Sequence, residues 1–118
     1  MESRQHSGDA EILRELSAVI RRYPAAAIGE TTVEEVARRW LDAGFEDAEE
    51  VEDWLRARCF TADGAQQLEN AGITPQQAGI NTSAGSGNYE DTLGYKLIKG
   101  DLGFDEARRI ITSEFWDS

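Results

Sequence analysis

Histidine and cysteine are almost absent from this chain: His6 and Cys59 are the single copies of each. Structural zinc requires clustered cysteine and histidine ligands, so one copy of the chain is not expected to build such a site. A lone cysteine forms no internal disulfide, which agrees with a reducing compartment. Long apolar runs are missing as well. Stretches such as Ala25 to Ile28 fall far short of the roughly 20 residues that span a bilayer. The polar segment Met1–Asp9 lacks the hydrophobic core of a signal peptide. The expected location is the cytoplasm, with no membrane partner. Positive charge is the third scarcity: 12 lysines and arginines stand against 23 acids, for a net charge of -11. Such a field repels nucleic acid and anionic lipid, so direct nucleic-acid binding is disfavoured and a basic partner is favoured.

What is present points to one ordinary globular domain. The chain has 118 residues, 40% hydrophobic and 30% charged, which is enough for one modest core without disulfides or metal. The negative charge is concentrated in residues 29–60, which hold ten acidic and four basic groups.

Apolar residues recur at helical rather than alternating spacing, and the expected fold class is all-α: a compact bundle of about six to seven short helices. Residues 1–8 read as a flexible leader. From Asp9, a plausible N-cap, the stripe Ile12, Leu13, Leu16, Val19, Ile20 and Tyr23 predicts a first helix that Pro24 stops. Thr32 with Glu35 has capping-box spacing for a second, buried on Val33, Val36, Ala37, Trp40 and Leu41 and ended by Gly44. Asp47 caps a third with Val51, Trp54 and Leu55 inward. Thr61 caps a fourth, and Thr74-Pro75 with Gln77 starts a fifth.

These helices share a degenerate repeat. Trp40 to Phe45, Trp54 to Phe60 and Leu68 to Ile73 each close a helix with a small residue. Each then places an apolar residue (Phe45, Phe60, Ile73) just beyond it. A period of about 13–14 is shorter than the common solenoid repeats and predicts a compact helical zigzag. Residues 79–88, Gly-Ile-Asn-Thr-Ser-Ala-Gly-Ser-Gly-Asn, read as a flexible loop. Beyond it, residues 89–99 and 104–115 predict a C-terminal helical hairpin. The organisation expected is thus a leader at 1–8 and a single helical domain at 9–118, divided by the loop into 9–78 and 89–118.

No arrangement of residues specifies a reaction, and the expectation is no catalytic site, no cofactor and no metal. Cys59 reads as a small buried hydrophobe. The glycine-rich loop lacks the Gly-Lys-Ser/Thr of a phosphate-binding loop. Two features single themselves out for binding. Glu46, Glu49, Glu50 and Asp53 fall on one helical face at i, i+3, i+4 and i+7 spacing. Tyr89, Tyr95 and Trp116 are aromatics that the core stripes do not absorb, and aromatics often anchor interfaces. The expected function is a non-catalytic protein–protein interaction module, an adaptor or scaffold subunit whose partner has a basic surface; self-association is compatible with it. The alternatives are an acidic inhibitor or nucleic-acid mimic filling a basic cleft, and, last, a small enzyme using carboxylates.

Overall fold

A computed structural model describes the backbone of residues 2–27 and 32–116, with side chains placed within 9–27 and 32–113. Seven α-helices lie among the described residues: α1 (Glu2–Arg21), α2 (Val33–Asp42), α3 (Ala48–Arg56), α4 (Ala62–Asn70), α5 (Pro75–Ala78), α6 (Leu93–Lys99) and α7 (Phe104–Trp116). A 3-10 turn at Pro24–Ala27 follows α1. No described helix is long and apolar enough to cross a membrane.

The helix starts lie where short polar side chains can bond the free backbone N–H groups of a first turn. Thr32 accepts from the Glu35 amide at 3.1 Å, Asp47 from Glu49 at 2.9 Å, and Thr61 from Gly64 at 3.1 Å. Thr74 and Gln77 form the full reciprocal capping box, with proline in the first helical turn.

The ends explain the repeat. After α2, the Phe45 amide bonds the Trp40 carbonyl and the Gly44 amide bonds Leu41. After α3, Cys59 bonds Trp54 and Arg58 bonds Leu55; after α4, Ile73 bonds Leu68 and Gly72 bonds Glu69. Each is a Schellman motif, a left-handed residue followed by an apolar one that folds back on the last turn. The register is therefore Trp40, Trp54 and Leu68, a constant spacing of fourteen residues. This corrects the sequence expectation at one point: the residue folding back after α3 is Cys59, not Phe60. Gly44 and Gly72 take the left-handed position at φ 99° and 84°, whereas the equivalent residue of the middle unit is Arg58, at φ 64°.

The core joins these units. Trp40, Trp54, Leu55, Val51 and Leu68 are buried together with Leu16 and Ile20 of α1. α1 packs across α2 and α3, while α6 packs on α4 and α5. A polar clamp closes the α1 end: Glu52 meets Arg22 at 3.3 Å, Arg56 at 3.6 Å and the Tyr23 hydroxyl at 3.3 Å.

Three expectations are revised. α1 extends back to Glu2, so Asp9 lies inside the helix and is not its N-cap. The region around the glycine-rich segment contains a small antiparallel ribbon, β1 (Asn81–Thr82) with β2 (Asp91–Thr92), in register Asn81 opposite Thr92. The following helix starts at Leu93, not at residue 89. The reason for both of the last two is Thr92. Its hydroxyl accepts from the Tyr95 amide at 3.2 Å, capping α6, and donates to the Ala57 carbonyl. An N-cap sits in extended backbone, so residues up to Thr92 are drawn into a strand.

Candidate interaction surface

Arg58 is the starting point, because its backbone occupies a position its own repeat reserves for glycine. A non-glycine residue with left-handed backbone costs roughly 1 kcal/mol and persists where the surroundings over-determine it. Here they do. Arg58 Nε donates to Asp91 Oδ1 at 2.7 Å, joining the end of α3 to β2. Its guanidinium lies over two rings, 4.9 Å from the Tyr95 centroid and 5.5 Å from that of Phe60. Both distances are within cation–π range.

The pattern continues along α6. Lys99 lies one turn beyond Tyr95, so the two share a helix face. Its ammonium is 5.7 Å from the Tyr95 ring and 5.3 Å from that of Tyr89. Lys96 sits under Tyr89 at 4.3 Å. The result is an alternating strip, Phe60–Arg58–Tyr95–Lys99–Tyr89. Both lysines of the chain are drawn to it, in a molecule of net charge -11.

Two layers of the strip differ in solvation. Arg58 and Lys99 have side chains 48% and 55% exposed. Lys96 is fully buried, its Nζ donating to the Ala84 carbonyl. Tyr89 donates to Asp101 Oδ2 at 2.6 Å, and Ser86 bonds the same carboxylate at 3.2 Å. The Tyr89 bond holds the Asp101 carboxyl below the usual carboxylate range, and the same bond pushes the Tyr89 hydroxyl up to about 12. Tyr89, Asp101 and Lys96 thus bind the glycine-rich segment to α6. Among the described residues, neither Nη of Arg58 has a hydrogen-bond partner, and the closest carboxylate to Lys99 Nζ is 3.9 Å away. The exposed edge of the strip retains donors for an incoming acceptor.

Of the acidic residues expected to share a face, Glu49, Glu50 and Asp53 lie on α3. Glu46 precedes α3 and, with Glu49, is exposed. Glu50 accepts from Trp54 Nε1 of its own helix at 3.4 Å, and Glu69 of α4 shares its site. Asp53 pairs with Arg56 at 3.4 Å. Helical spacing placed Glu49, Glu50 and Asp53 along α3, where Trp54 and Arg56 of the same helix engage two of them. Burial, together with Glu69 sharing its site, holds the Glu50 carboxyl above its ordinary range, and the Trp54 bond partly opposes this. A carboxyl with a raised folded-state pKa contributes stability below its unfolded pKa and loses it as pH rises through the folded value. Glu50→Gln is therefore expected to raise stability near pH 7 by less than about 1 kcal/mol. The gain should vanish below about pH 4, where the wild-type group is protonated. Urea midpoints at the two pH values measure this.

Tyr89 and Tyr95, chosen from sequence, both lie in the strip; the side chain of Trp116 lies outside the described residues. Phe60, Arg58, Lys96 and Lys99 were missed. Arg58 had a legible signal, a charged residue at the glycine position of a fourteen-residue repeat. Cys59 is fully buried against Gly94, and burial pushes its thiol up to about 12, leaving little thiolate at neutral pH. Among the described residues no three Cys, His, Asp or Glu side chains cluster to hold a metal ion. No protein-family model, curated protein or solved structure matches this chain.

Proposed function

We propose that this chain is a non-catalytic protein–protein interaction module that docks its partner on the Phe60–Arg58–Tyr95–Lys99–Tyr89 strip. The supporting observation is the strip itself: stacked aromatics and cations with unengaged donors on the exposed edge. Tyrosine and arginine dominate the binding energy of many interfaces because they combine large contact area with directed hydrogen bonds. Arginine pre-oriented over two rings loses less conformational freedom on docking than a free side chain would. The partner would present carboxylates to Arg58 and Lys99 and apolar groups to the rings.

An alternative in which residues 46–53 imitate a phosphate row is weakened, since Glu50 and Asp53 are engaged within the fold. The test compares capture of partners from native lysate by the wild type, Arg58→Gly/Lys99→Gln and Glu46→Gln/Glu49→Gln. Glycine suits the backbone at 58, so the first variant removes the strip's cations without straining the chain. Capture is expected to survive in the acidic-end variant and to fall at least tenfold when the strip substitutions are added to it, since a strip variant alone keeps its acidic end. The opposite pattern would move the docking site to the acidic end.

A further inference from the structure

The two ends of α3 carry complementary surfaces. At its N-terminal end Glu46, Asp47 and Glu49 are exposed, and none has an ion-pair partner among the described residues. They border a shallow groove shared with Glu15 and Val19 of α1 and with Arg22, whose guanidinium pairs with Glu52 at 3.3 Å. Just past the C-terminal end stands Arg58, the first cation of the strip. The helix between them has nine residues and is therefore about 14 Å long. A chain cannot fold one end of its own rigid helix onto the other, so the surfaces can meet only between molecules.

We infer that the strip's partner is a second copy of this chain, the acidic end of one molecule seated on the Arg58–Lys99 edge of the next. This rests on the interaction-module proposal and names its occupant. The carboxylates of Glu46 and Glu49 would accept from the free Nη groups of Arg58 and from Lys99 Nζ, the charge-assisted geometry that arginine favours. Ala48, half-buried at the groove, would lie toward the aromatic rings. Because the two patches differ, the contact is heterologous. It leaves one free patch of each kind on every dimer and therefore propagates, to a ring if the rotation closes and to a filament if it does not.

Charge makes the salt dependence two-sided. A molecule of net charge -11 repels its own copies. At about 0.01 M salt the Debye length is about 30 Å and whole-molecule repulsion is felt; at about 0.15 M it is about 8 Å and only the local patches count; at about 1 M it is about 3 Å and the patches are screened too. Association should therefore peak at intermediate salt.

Sedimentation velocity over a concentration series at those three salts is the experiment. The wild type is expected to grow beyond the monomer at intermediate salt and less at either extreme. Glu46→Gln/Glu49→Gln and Arg58→Gly/Lys99→Gln are each expected to remain monomeric alone. Mixed, they should give a one-to-one dimer and nothing larger, since each keeps only one working patch. Lys99→Gln alone, exposed and remote from the core, should weaken assembly without touching the fold. A wild type that stays monomeric at all three salts, or end variants that assemble as the wild type does, would overturn self-assembly. Polyglutamate separates the two proposals. If it binds the monomeric wild type and not Arg58→Gly/Lys99→Gln, the strip is a docking surface for another acidic chain and only the second-copy assignment fails.

Discussion

Gly94→Ala is expected to destabilise the protein by about 3 kcal/mol, the upper end of the usual cost of overpacking a core. A Cβ at residue 94 would stand 2.5 Å from Cys59 Sγ, 2.8 Å from Ala78 Cβ and 3.3 Å from the Ala78 carbonyl. Cys59 is the fold-back residue of α3 and Ala78 closes α5, so α6 would have to retreat from both. A domain of this size has only about 5–15 kcal/mol in total, so the loss should be plain in a urea titration. Cys59→Ala removes the nearest atom and leaves the other two. Combined with Gly94→Ala it should return part of the loss, with a coupling energy of about 1 kcal/mol in a double-mutant cycle. Strictly additive effects would show that the α3–α6 approach does not limit the packing.

Lys96→Glu is expected to be comparably severe, about 3–5 kcal/mol, the cost of leaving an uncompensated charge where a buried one was satisfied. Lys96 is fully buried, donates to the Ala84 carbonyl and lies under the Tyr89 ring, whose hydroxyl is bonded to Asp101. Glutamate would lose the donor and place a second negative charge near Asp101. Lys96→Met keeps the apolar stem and leaves only the Ala84 carbonyl unpaired, at about 1–3 kcal/mol. It should act locally. The Ser86 amide, which bonds the Asp101 carbonyl at 2.8 Å, should exchange with solvent faster while amides of α2 to α4 are unchanged.

The same segment should respond to pH from both sides. The depressed Asp101 pKa contributes stability that is present above the ordinary carboxylate range and lost as pH falls through the folded value. The raised Tyr89 pKa contributes stability that is present below the ordinary tyrosine range and lost as pH rises toward about 12. Exchange protection at Ser86 should therefore form a plateau across neutral pH and fall at both ends, and Tyr89→Phe should flatten it.

Assembly through the α3 ends would give the acidity a second role. The charge that would keep monomers apart at low ionic strength would also supply the exposed carboxylates that the strip is proposed to engage.

Helix existence and capping were decided by the sequence alone. Thr32, Asp47, Thr61 and Thr74 cap because a short side-chain oxygen next to an extended residue reaches the first-turn amides whatever the rest of the chain does. The Schellman ends of α2 and α4 follow equally locally from Gly44 and Gly72, which adopt left-handed backbone without steric cost. The inward placement of Trp40, Trp54 and Leu68 follows from helical period. Only the tertiary structure decided the rest. Arg58 holds a glycine position because Asp91, thirty-three residues away, and Tyr95 hold its side chain. Thr92 ends a strand because the Ala57 carbonyl needs its hydroxyl. Glu50 is held above its ordinary carboxylate range by burial and by Glu69 of α4, nineteen residues away. Contacts at long sequence separation leave no periodic trace, so a pattern of spacings cannot contain them.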